Sequence, residues 1–151
     1  MLGVAAAVCS VASCQKETEE TPVPQAVAAS AALSEQLAAQ EWHQTGLTVN
    51  TVGGDQPVSA DLFSHVKPGM LDHSVSFQKG GSYSVLKGGD QAKPVIGRWQ
   101  LNSTNDSVTL TLPDQVRRLA VTELTPTTLR LAFTDAEVNG KVSTYTSVYS
   151  H

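Results

Sequence analysis

Residues 97 to 112 read GRWQLNSTNDSVTLTL, and the way this stretch divides decides the fold. Its first part puts Gly97, Trp99 and Leu101 on one side of an extended chain and Arg98 and Gln100 on the other. Its last part alternates Val108, Leu110 and Leu112 with Thr109 and Thr111, a period of two. Between them, Asn102 to Asp106 is a run of short polar side chains that bond readily to nearby backbone amides. The stretch therefore reads as strand, turn, strand: an antiparallel hairpin with one apolar face.

The same grammar continues on both sides. Strands are expected at 42–52, 73–78, 82–87, 94–101, 107–112, 116–124, 129–133 and 141–149. Gly46 is read as a bulge in the first. Lys79-Gly80-Gly81, Gly88-Gly89-Asp90, Pro113-Asp114 and Asn139-Gly140 supply turns, the last being the strongest short hairpin pair. Residues 53 to 72 form one long connection, in which Asp61 can cap a helical turn through Leu62 and Phe63. From Leu33, apolar positions 33, 37 and 38 take helical spacing, predicting one or two turns across an end of the domain. Eight strands joined mostly by short turns make a meander, and closing it removes the exposed edges that a flat sheet would present. The expected fold is all-β: an eight-stranded antiparallel up-and-down barrel with a short N-terminal helix. A β-sandwich is the structural rival, but it needs a long return connection. The expected inward set is Val75, Phe77, Tyr83, Val85, Trp99, Leu110, Leu119, Val121, Leu131 and Phe133.

Four places carry a family resemblance: Trp42 in a strand entered from a short helix, VSFQKGGSYSV (75–85), GRWQLNSTNDSVTLTL (97–112) and LAVTELTPTTLRLAF (119–133). Together they resemble the lipocalin-like domains of small bacterial lipoproteins, from about Leu33 to Tyr149. Gln40 stands where that family's first Gly-x-Trp has its Gly, and the cysteine pair often found in such domains is missing. The resemblance implies a lipocalin-like barrel that holds a small apolar molecule.

The N-terminal segment tells of location. MLGVAAAVCSVAS (1–13) is uncharged, too short to span a bilayer and of the length of a signal-peptide apolar region. A signal peptide opens on a Lys- or Arg-bearing segment, so either the true start lies upstream or the chain is trimmed. Val11-Ala12-Ser13-Cys14 resembles the lipobox of bacterial lipoproteins. That resemblance implies cleavage before Cys14 and acylation there by palmitate-type chains, and two or more such chains anchor stably where one does not. Cys9 then leaves with the signal. QKETEE (15–20) resembles the acidic tether that sends some Gram-negative lipoproteins to the outer face of the outer membrane, although a solvated linker has the same composition. The expected organisation is a signal peptide at 1–13, an acidic and Pro/Ala-rich tether at 14–32, and a barrel domain at 33–151. The expected location is the cell envelope, lipid-anchored at the outer membrane.

The rest of the sequence mainly excludes. With 10 Lys+Arg against 14 Asp+Glu, the chain has a net charge of −4 and no basic stripe for a phosphate backbone, so no nucleic-acid partner is expected. No Gly-x-Ser-x-Gly elbow or strand-to-helix glycine loop is present, and no catalytic residue, cofactor or metal is assigned. His65 and His73 flank a Pro-Gly turn with Asp72 beside the second, but their spacing is not that of a zinc site, and exposed loop histidines are expected. One of Arg117 and Arg118 is expected to face solvent and the other to lie near the barrel mouth. Trp42 and Trp99 are expected to plug one end of the barrel rather than line a pocket. Two functions stay open: a barrel binding a small apolar ligand, at residues the sequence does not name, or an envelope-surface interaction protein that uses its loops, the 53–72 connection above all. The interior volume discriminates between them.

Overall fold

A computed structural model describes residues 25–89 and 93–151. Among them are one helix, α1 (Gln25–Leu37), and nine strands: β1 (Glu41–Val52), β2 (Val58–Asp61), β3 (Asp72–Phe77), β4 (Ser82–Lys87), β5 (Val95–Leu101), β6 (Ser107–Thr111), β7 (Val116–Leu124), β8 (Thr128–Thr134) and β9 (Val142–Ser150). Sequential antiparallel pairing runs from β3 to β9, β1 pairs with β3, and β9 returns to pair with β1 from His43↔Ser150 to Val52↔Val142. This is an eight-stranded antiparallel closed barrel, and all eight expected strands are in it. The register shift between Gln44 and Gly46 places the expected bulge.

β2 was not foreseen. It lies along the second half of β1, pairing Thr48↔Asp61 to Thr51↔Val58, on the edge whose first half carries β3. All four of its residues are exposed, so it offers no alternation to read. The 53–72 connection is thus partly built structure. It also holds a turn in which Asp61 Oδ1 accepts from the Phe63 amide at 2.9 Å, the expected cap, and a 3-10 turn at Pro68–Met70.

The helix is also longer than expected. It starts at Gln25, inside the segment read as tether, and not near Leu33. Five alanines between 26 and 32 explain this, since alanine is the strongest helix former. Its last residue, Leu37, is wholly buried in the core and closes one end of the barrel. There Trp42 Nε1 donates to the Leu37 carbonyl at 3.1 Å, and Gln40 Nε2 donates to the Pro126 carbonyl at 2.8 Å.

The hairpin of residues 97–112 folds as read. Trp99 pairs with Leu110 and Leu101 with Val108. In its turn, Asn102 Oδ1 accepts from the amides of Asp106 and Ser107, both at 3.1 Å, and Asn105 takes the left-handed conformation that Asn tolerates. Gly97 is needed for space: a Cβ there would stand 2.4 Å from the Thr111 carbonyl and 2.8 Å from the Leu112 side chain.

Candidate functional site

The two ends of the barrel differ. At the helix end the interior is solid. Trp42, Phe77, Val75, Val108, Leu129 and Leu37 are almost fully buried, and Phe77 meets the Trp99 ring edge-on at 5.4 Å between centroids. Trp99 Nε1 donates to the Gln78 carbonyl at 2.9 Å, so the indole's polar edge is satisfied. Both tryptophans plug this end, as expected.

Toward the other end the interior opens into a cup of about 390 Å³. Six of the expected inward residues line it: Tyr83, Val85, Leu110, Leu119, Leu131 and Phe133. The other four go elsewhere, with Val75, Phe77 and Trp99 in the solid half and Val121 packed against it. The volume lies at the low end of the roughly 300–1,000 Å³ usual for small-molecule sites.

One wall of the cup is polar. The β1–β3 ladder stops after His43↔Ser74, where β1 diverges toward β2. The Gln44 side chain takes over at the split, its Oε1 accepting from the Asp72 amide at 2.7 Å and its Nε2 donating to Ser147 Oγ at 3.2 Å. Asp72 turns inward. Its Oδ2 accepts from the Tyr149 hydroxyl at 2.7 Å, and its Oδ1 pairs with Lys87 Nζ. The lysine side chain is 46% exposed, so the ion pair itself contributes at most about 1 kcal/mol. Burial raises the pKa of the Tyr149 hydroxyl well above its usual value, and the nearby Asp72 carboxylate raises it further. Tyr83 is shifted the same way, by burial first and by Asp72 second, while Arg117 opposes the shift. Both phenols stay protonated donors through the neutral range.

Arg117 and Arg118 divide as expected. Arg117 lines the cup near the mouth, its guanidinium 5.8 Å from the Phe133 ring centroid. Arg118 is on the outer face, where Nε donates to Ser107 Oγ at 3.1 Å. The histidines do not join Asp72. His65 sits exposed beside Ser64, and His73 points outward from β3, not from a loop, with its ring against His43. No group of three or more metal-ligating side chains occurs among the described residues. Cys14 and Cys9, with residues 1–13 and the start of the tether, lie outside the described residues, as does Asp90 of the expected third turn.

The sequence named neither Asp72 as an interior residue nor Tyr145, Ser147 and Tyr149 as a wall of the cup. The available signal was the period of two in β9, where Tyr145, Ser147 and Tyr149 share one face.

No protein-family model matches the sequence, and comparison with curated proteins gives no match. Among solved structures, the chain is similar to a lipocalin-like protein from Bacteroides uniformis, at 18% identity over 76% of this chain and 97% of that one, with a TM-score of 0.46. It is similar to the bovine lipocalin allergen Bos d 2, at 11% identity over 78% and 73% of the two chains, with a TM-score of 0.45. It is also similar to bovine odorant-binding protein in complex with a selenium-containing odorant, at 10% identity over 78% and 71%, with a TM-score of 0.44. The closed-barrel architecture stated above rests on the strand pairing itself.

Proposed function

We propose that the protein is a lipid-anchored envelope protein whose barrel binds one small apolar molecule in its open half. The observation that carries the binding reading is the cup of about 390 Å³, with aliphatic side chains inside and polar groups along one wall and at the mouth. Eight apolar side chains give a ligand its hydrophobic surface, and the ten polar or charged residues that share the lining fix its orientation. A cup of this size takes a single short-chain or single-ring ligand. Native mass spectrometry of the purified protein tests it: a bound mass that dissociates on activation supports the reading, and binding of neither a co-purified nor an added apolar compound contradicts it.

Anchoring is supported by the sequence around Cys14, where an apolar segment, two small residues and a cysteine precede a polar stretch. Palmitate-type acylation at Cys14 places the protein at the outer membrane, and the acidic run 15–20 favours its outer face. Replacing Cys14→Ala and fractionating cells tests the anchor: the variant moves to the soluble fraction, and retention in the membrane contradicts it.

A second reading has its own observation. The exposed large apolar side chains Val52, Val58, Met70, Val95, Val116 and Val138 belong to strand ends or loops around the mouth, with Ile96 next to Val95 on the outer face of β5. Such a rim suits contact with another envelope component. Crosslinking on whole cells separates the readings, since a surface-interaction protein gives partner crosslinks at the rim and no bound small molecule.

A further inference from the structure

We propose that Arg117 and the Tyr83 hydroxyl form an anion-recognition pair inside the cup, so that the ligand is a small amphiphile with one carboxylate-like head and a short aliphatic tail. The proposal rests on the cup being a binding site and names the ligand class that it takes.

Four charged side chains line the cup: Asp72, Lys87, Arg117 and Asp135. Asp72 and Lys87 neutralise one another, and Tyr149 supplies a further donor to Asp72, so that cluster is internally satisfied. Asp135 follows β8 at the rim and also borders a second, outward depression with Asn139 and Lys141. Arg117 is the cation of these four that has no ion-pair partner among the described residues; Asp135 is unpaired there too, and Arg117 also borders an outward depression beside β8. Its Nε donates to Gln115 Oε1 at 2.8 Å and its guanidinium lies over the Phe133 ring, contacts that orient the group without neutralising it. A guanidinium stays charged at any working pH and offers a planar fork suited to a carboxylate.

Tyr83 supplies the second donor. It is buried on β4 and lines the same cup as Arg117. Burial keeps the phenol protonated, so it gives a hydrogen bond and does not repel an anion. Tyr149 cannot share this role, because its proton is committed to Asp72. Leu110, the cross-strand partner of Arg117, lines the cup with Leu119 and Leu131, and the three provide an aliphatic surface with no charge. A head held by Arg117 and Tyr83 leaves a tail against these leucines, and the volume admits one short chain, not a two-chain lipid.

The test is calorimetric titration of the full chain at neutral pH with octanoate and with 1-octanol, which share a tail and differ in the head. Charge-assisted hydrogen bonds give octanoate an advantage of roughly ten- to hundredfold. In Arg117→Met that advantage collapses to within about threefold, while 1-octanol binding is retained, because the exposed arginine contributes little to the apolar surface. Tyr83→Phe keeps the ring in the core and lowers the advantage in part. Thermal melts verify that both variants are folded. Equal affinity of the wild type for the two probes, or a preference that survives Arg117→Met, overturns the anion pair and leaves the cup standing. Failure of the wild type to bind either probe removes the cup reading and the pair with it.

Discussion

At the scale of single residues, the closed end and the polar wall make different demands. Trp42 is wholly buried and its indole N–H is spent on the Leu37 carbonyl. Trp42→Ala leaves a large void and an unpaired carbonyl, and is expected to cost about 3–5 kcal/mol in chemical denaturation. The tryptophans were legible because an indole on the apolar side of an alternating strand has one sensible destination. Asp72 was not legible: it depends on Gln44, Lys87 and Tyr149, which stand 28, 15 and 77 positions away in sequence. Tyr149 gives a pH prediction. Its pKa is raised above the ordinary value near 10, as is that of Tyr83. Below pH 10 the folded and unfolded chains both hold these protons and no pH dependence arises from them. Above pH 10 the unfolded phenols ionise while the folded ones keep their protons, so stability falls as pH rises. Denaturant midpoints between pH 9 and 11 should show this fall. Tyr149→Phe should reduce its slope, while lowering stability at neutral pH through the lost bond to Asp72.

At the scale of elements, the barrel strands were readable because a period of two separates interior from exterior along each of them. β2 carries no such signal, since its side chains all face water, and α1 was cut short because its alanines resemble linker composition as much as helix. The β8–β9 hairpin shows turn chemistry at work. Asn139 and Gly140 both take positive φ, 51° and 72°, within the bridge Val138↔Lys141. This is the turn whose twist matches paired strands, and it favours Asn-Gly. A Cβ at Gly140 would meet nothing within 4 Å, so substitution costs only the backbone preference. Gly140→Ala is therefore expected to destabilise by about 1 kcal/mol, with no change in ligand binding, as read by parallel melts and titrations. Gly97→Val is expected to be far more damaging, because its Cβ would press on the Thr111 backbone carbonyl, and its melting temperature should fall well below that of Gly140→Ala.

At the scale of the molecule, the barrel is neither wholly filled nor wholly hollow. α1, Trp42, Phe77 and Trp99 seal one end, and the interior opens beyond them where Val85, Leu110 and Leu131 line the cup. Which half would be filled was not readable from the list of inward residues, because it depends on the height of each residue along the barrel and hence on register across all eight strands. The central claim is that this cup is a site for one small apolar ligand. The most direct measurement is calorimetric titration of a single-ring apolar ligand such as n-butylbenzene into the wild type and into Leu131→Trp, which fills the cup. The account predicts saturable one-to-one binding by the wild type, displaced by 1-octanol, and loss of binding in a Leu131→Trp variant that still melts cooperatively. Absence of saturable binding, or binding that Leu131→Trp leaves unchanged, would contradict it.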